Sequence, residues 1–168
     1  MAKIMLFGPY SSVGLPQEVI PWLQEYIAQG HEFLVGDSKG FDSSVHRLLS
    51  SLGALDKATI YCMDDPRSNV YDLKVKSFVT DFSKEGKQAI IRAKDNSIEP
   101  FVIENIEQAM DIPYNRQWYE FRDRQMIKDC DIAIGVWDGE SKTVTNIIQL
   151  LNIYNKPCYT FSINGWGR

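Results

Sequence analysis

Two short polar stretches of this chain carry residue types suited to holding an anion, and each follows an apolar run. The first is Gly36-Asp37-Ser38-Lys39-Gly40-Phe41-Asp42, where backbone N–H groups, a hydroxyl and an ammonium crowd ahead of a helix expected to open near Phe41 or Asp42. The positive dipole end of such a helix adds to the attraction, which is the physics of a phosphate cradle. The spacing is neither GxxxxGK[ST] nor GxGxxG, because Lys39 precedes the second glycine. An ordinary strand-to-helix turn capped by Asp42 or Ser43 is therefore the plain alternative. The second stretch is Trp137-Asp138-Gly139-Glu140-Ser141-Lys142-Thr143. Asp138 and Glu140, with Asp37, Asp42 and Asp123 brought near, could supply the carboxylates that cleavage of an N-glycosidic bond requires. The same carboxylates serve equally as turn and helix caps.

Single residues divide in the same way. Lys39 is either a phosphate contact or a solvated turn lysine. Arg122 has a planar fork able to grip phosphate at two points, or else it forms a surface ion pair with Asp123 or Glu120. Asp42 can fix the glycine turn by accepting backbone N–H groups. His46 falls one turn after Asp42 and reads either as a base with its orienter or as a structural histidine. No serine or cysteine nucleophile stands at a spacing that would complete a catalytic set with it. Trp137 either stacks on a base or covers the sheet edge. His31 and His46 flank different ends of the same segment with no HxxxH spacing, so neither a metal site nor a cofactor is expected.

These residues need elements to position them. Lys3 to Phe7 is an apolar strand that runs into a Gly8-Pro9-Tyr10-Ser11-Ser12 turn, and a helix follows from Pro16 through Ala28. Phe33 to Val35 is a second strand, ended by Gly36, and a helix runs from Asp42 to about Leu52. Ala58 to Cys62 is a third strand. Phe78 to Ile91 and Pro100 to Met110 read as helices, and a clearer one spans Asn115 to Asp129 with Trp118, Phe121, Met126 and Ile127. Asp131 to Val136 is a strand, Thr143 or Thr145 opens a helix to about Tyr154, and Pro157 to Phe161 is the last strand. Alternating strands and helices with short connections predict a single Rossmann-like, three-layer α/β domain over residues 1–168. Its sheet would be mainly parallel with about five strands, and residues 64–114 would form a variable insertion. Ligands of such sheets collect at the carboxyl ends of the strands, where the loops from Gly8, Gly36 and Asp64 would converge.

Composition narrows the partner class. The 168 residues are 44% hydrophobic and 24% charged, enough for one core, and the net charge of -4 with a pI near 5.2 favours a small ligand over duplex nucleic acid. Cys62, Cys130 and Cys158 lie far apart with no CxxC spacing, which fits reduced packing residues and a cytoplasmic setting. No apolar run approaches the ~20 residues that span a bilayer, and the first residues do not read as a signal peptide.

Three segments then stand in a particular order: GDSKGFDSSVHRLL at 36 to 49, RDRQMIKDCDIAIGVWDGESKTVTNIIQLL at 122 to 151, and NKPCYTF at 155 to 161. Together they resemble the SLOG superfamily, the Rossmann-like domains that include the DprA and LOG proteins, and within it the small YspA-like branch. Lys39, Gly40, Asp42, Arg122, Met126, Trp137, Asp138, Gly139, Ser141, Lys156 and Pro157 match the branch pattern. The resemblance implies a nucleotide-like ligand, or one derived from NAD or ADP-ribose. Gly8, Pro9, Gly36, Ser38, Lys39, Gly40 and Asp42 would lie on one side of it, and Arg122, Trp137, Asp138, Gly139, Ser141 and Thr143 on the other. It also implies paired subunits. Two alternatives come with it: an enzyme, an N-glycosidase or 2-deoxyribosyltransferase using Asp138 or Asp123, and a DprA-like single-strand binder, against which the net acidity weighs. The chain departs from the pattern at Thr143-Val144, where the branch carries Gly-Thr, and at Ile147, where catalytic relatives carry a glutamate.

Overall fold

The computed structural model describes residues 1–9, 14–38, 40–63, 74–82, 88–104 and 116–162. Eight strands and four helices are described. In chain order they are β1 (Lys3–Phe7), α1 (Ile20–Ala28), β2 (Glu32–Val35), α2 (Phe41–Ser51), β3 (Ala58–Met63), β4 (Lys74–Phe82), β5 (Gln88–Ala93), β6 (Phe101–Glu104), α3 (Arg116–Asp129), β7 (Ile132–Trp137), α4 (Lys142–Ile153) and β8 (Cys158–Ser162). All strands join one sheet in the order β6-β5-β4-β3-β2-β1-β7-β8. Pairings from β4 through β3, β2, β1 and β7 to β8 are parallel, whereas β4, β5 and β6 pair antiparallel.

The architecture is α/β with a mostly parallel sheet, as expected, but the sheet has eight strands rather than about five and is antiparallel at one side. The difference lies in the stretch read as helical. Residues 78–82 belong to β4 and 88–91 to β5, and Phe101–Glu104, within the second expected helix, is β6; residues 83–87 and 105–115 lie outside the described set. β5 alternates strictly, with Ala89, Ile91 and Ala93 buried and Gln88, Ile90 and Arg92 exposed. That two-residue period is the mark of a strand covered on one face only, but the residue types Gln-Ala-Ile-Ile-Arg-Ala do not themselves alternate in polarity, because Ile90 is apolar and exposed. These strands extend the main sheet.

The central strands show why their sequence is continuously apolar. In β1, Ile4 and Leu6 pack with Val19, Leu23, Phe41 and Val45 beneath α1 and α2, whereas Met5 and Phe7 pack with Met126, Ile127, Val144 and Ile147 beneath α3 and α4. Both faces of the pleat are buried, so both side-chain parities must be apolar. Each fully buried Phe or Leu contributes on the order of 2 kcal/mol relative to exposure. The helix expected from Pro16 begins instead as one 3-10 turn, Gln17–Val19, before α1, and Pro21 falls in the first turn of that helix, where a missing N–H costs nothing. α4 opens on Ser141, whose Oγ accepts the Val144 N–H at 3.3 Å. At the other end of α3, Lys156 Nζ donates to the Cys130 carbonyl at 2.7 Å, a cation at a helix carboxyl end.

Candidate functional site

The chain leaves β2 at Gly36 and closes a tight loop onto the start of α2. The Ser38 N–H donates to Asp42 Oδ2 at 3.0 Å, and the N–H and hydroxyl of Ser43 donate to the Ser38 carbonyl at 3.1 and 2.7 Å. Asp42 therefore braces the turn through the amide contact expected of it. From inside α2, His46 Nε2 donates to the Gly36 carbonyl at 2.8 Å. The ring is 2% exposed, and its Nδ1 has no partner among the described residues. Burial holds the imidazole below its ordinary pKa against the pull of the Gly36 carbonyl, Asp42 and Asp37, which matches the structural reading of this histidine.

α3 brings a guanidinium to this loop. Arg122 Nη1 donates to Asp37 Oδ1 at 3.0 Å, while Nε and Nη2 both donate to Asp123 Oδ1, at 3.2 and 2.9 Å. The three side chains are almost wholly buried, so the pairing is an internal ion network and not the surface pair with Asp123 or Glu120 weighed above. Burial alone would lower the pKa of Arg122, but Asp123, Asp42 and Asp37 outweigh it and keep the group firmly charged. Burial pushes the Asp123 carboxyl up, Arg122 opposes the shift, and the nearby Asp42 and Glu120 add to it. Gly36 is where these pieces meet: a Cβ there would stand 2.6 Å from Asp42 Oδ2 and 3.2 Å from Arg122 Cζ. Only a residue without a side chain lets the guanidinium and the carboxylate approach the strand end so closely.

This network borders a cavity of about 450 Å³. Its apolar lining includes Met5 and Phe7 of β1, Met126 of α3, and Ile147 and Leu150 of α4. Gly8, Gly36, Ser38, Asp42, Arg122, Asp123 and Thr143, all singled out from the sequence, line it together. The other expected residues stand elsewhere. Pro9 is buried beyond Gly8, and Gly40 immediately precedes α2, neither lining the cavity. Trp137 ends β7, Asp138, Gly139 and Ser141 lie between it and α4, and none of the four lines the cavity. There Asp138 Oδ1 accepts the Glu140 and Ser141 N–H groups at 2.9 and 2.7 Å, which hold its carboxyl below the usual range, and Gly139 takes a φ of +83°. Trp137 is 39% exposed. Lys39 lies outside the described residues.

Tyr119, Glu120, Lys142 and Asn146 also line the cavity and were not singled out as ligand contacts. Helical spacing could have found them, since Tyr119 precedes Arg122 by one turn of α3 and Asn146 follows Thr143 by one turn of α4. Tyr119 further offers its ring to the Arg122 guanidinium, 5.3 Å from the centroid. Comparison of the chain with protein-family models, with curated proteins and with solved structures gives no match.

Proposed function

We propose that this chain binds a nucleotide or nucleotide-derived ligand, of the ADP-ribose or NAD kind, in the cavity at the carboxyl ends of β1 and β2. The observation that carries this reading is the cavity's place in the sheet. The chain runs outward from β1 to β2 and β3, then returns to lay β7 on the other side of β1, so the strand order reverses at β1. Crevices at such a reversal are where open α/β sheets hold their ligands. A volume of about 450 Å³ with an apolar lining and a compact polar cluster also suits a small organic molecule. The resemblance to the SLOG superfamily supports the same class of ligand.

A second reading, hydrolysis or transfer at an N-glycosidic bond, draws on Asp123. A buried carboxyl pushed up in pKa at the cavity wall can hold a proton for a departing base. Asp138 is committed to its own turn, and Ile147 brings an apolar side chain to the cavity.

Calorimetry with ADP-ribose, NAD and AMP tests the binding reading. Thr143 is exposed in the first turn of α4, so Thr143→Trp fills space at the cavity without disturbing the core. Saturable heat with at least one ligand, weakened tenfold or more in the variant at unchanged melting temperature, is the expected result. No heat with any of the three, or equal affinity in the variant, overturns it. Free base released from nucleosides, and lost in Asp123→Asn, would promote the second reading.

A further inference from the structure

Resting on the nucleotide reading, we infer that the polar cluster around Arg122 recognises sugar hydroxyls and turns phosphate away, so that the ligand meets it with its ribose edge. The guanidinium is already engaged. Two of its nitrogens donate to Asp123 Oδ1 and a third to Asp37 Oδ1. Among the described residues three carboxylates, Asp37, Asp42 and Asp123, thus surround one cation, and a phosphate brought there adds negative charge to a buried set in which described carboxylates outnumber described cations.

What the cluster offers is acceptors. Asp42 and Asp123 are each 7% exposed, and both line the cavity. Asp42 uses Oδ2 for the Ser38 N–H, and Asp123 uses Oδ1 for Arg122. Asp42 Oδ1 and Asp123 Oδ2 accept no hydrogen bond among the described residues. Neither oxygen is among the described buried polar atoms that lack a partner, so each is open to solvent and free to accept from it, and the vicinal hydroxyls of a ribose carry two donors to take that water's place. Lys142, the other cation at this cavity among the described residues, is exposed on the first turn of α4, apart from the buried network.

The test uses the full chain and three probes: adenosine, 2′,3′-dideoxyadenosine and adenosine 3′-monophosphate, each titrated by calorimetry. Loss of both hydroxyls is expected to weaken binding about ten- to hundredfold, the size of a charge-assisted hydrogen bond or two, and a 3′-phosphate to weaken it at least as much. Asp42→Asn keeps an acceptor for Ser38 and is expected to reduce both penalties; Asp123→Asn should do the same, with melting curves recorded to certify folding. The comparison among probes on the unaltered protein needs no variant at all. Equal affinity for adenosine and its dideoxy form, or tighter binding of the 3′-phosphate, overturns the inference while leaving nucleotide binding intact. Adenosine that fails to bind also overturns it, and the accompanying ADP-ribose and NAD titrations then decide separately whether the nucleotide reading survives.

Discussion

The loop after β2 and the turn after β7 hold similar residue types at comparable places in the fold, yet they use them differently. In the loop after β2, Asp37 and Asp42 join a buried ion network contributed partly by a distant helix, and Gly36, Ser38 and Asp42 reach the cavity. In Trp137–Ser141 the polar groups turn inward: Asp138 takes two amides of its own turn and Ser141 caps α4, with none of these residues at the cavity. Asp42 also accepts an amide of its own turn, from Ser38, so what sets the β2 loop apart is the guanidinium that α3 brings to it.

The contrast can be broken experimentally, beginning with the largest effect. Arg122→Met leaves Asp37 and Asp123 buried without their cation and should cost about 3–5 kcal/mol of stability in urea unfolding. A loss under 1 kcal/mol would mean that the two carboxylates do not depend on it. Asp138→Ala removes two turn hydrogen bonds and should cost about 1 kcal/mol, with ligand affinity unchanged in calorimetry. An affinity loss of tenfold would put the β7 turn back at the site. The smallest effect concerns pH. His46 has a lowered pKa in the fold, so the unfolded chain takes up the proton first, near its ordinary value of about 6.5. Stability should therefore fall as pH drops below about 6.5, and His46→Gln, which can still donate to the Gly36 carbonyl, should flatten that slope. Asp42, Asp37 and Arg47 are the charged groups acting on this ring, and an unchanged slope in the variant would mean that His46 is not its source.

The parallel core was legible from the chain because strands buried on both faces must be apolar throughout, as Ile4–Phe7, Phe33–Val35 and Ile132–Val136 are. β4 to β6 escaped because residue type does not follow burial there, as the exposed Ile90 shows, and a strand such as Gln88–Ala93 owes its conformation to the neighbours on either side. At the site, the types of Gly36, Ser38, Asp42 and Arg122 pointed to one another across a long separation. The cavity's apolar lining was not readable in the same way. Met5 and Phe7 differ in no local respect from Ile4 and Leu6, and only the packing of α3 and α4 on one face distinguishes them. Engagement of Arg122 by two carboxylates was equally hidden, since Asp37 approaches it only through the fold.

One lysine far along the chain bears on all of this. Lys156, between α4 and β8, clasps the carbonyl just past the end of α3. Sliding that helix along its own axis would rupture the clasp, so the depth at which Asp123 hangs at the cavity is gauged from the far end by a residue that does not line it. Shortening that side chain would loosen a ruler, and the error would be read at the other end of the rod.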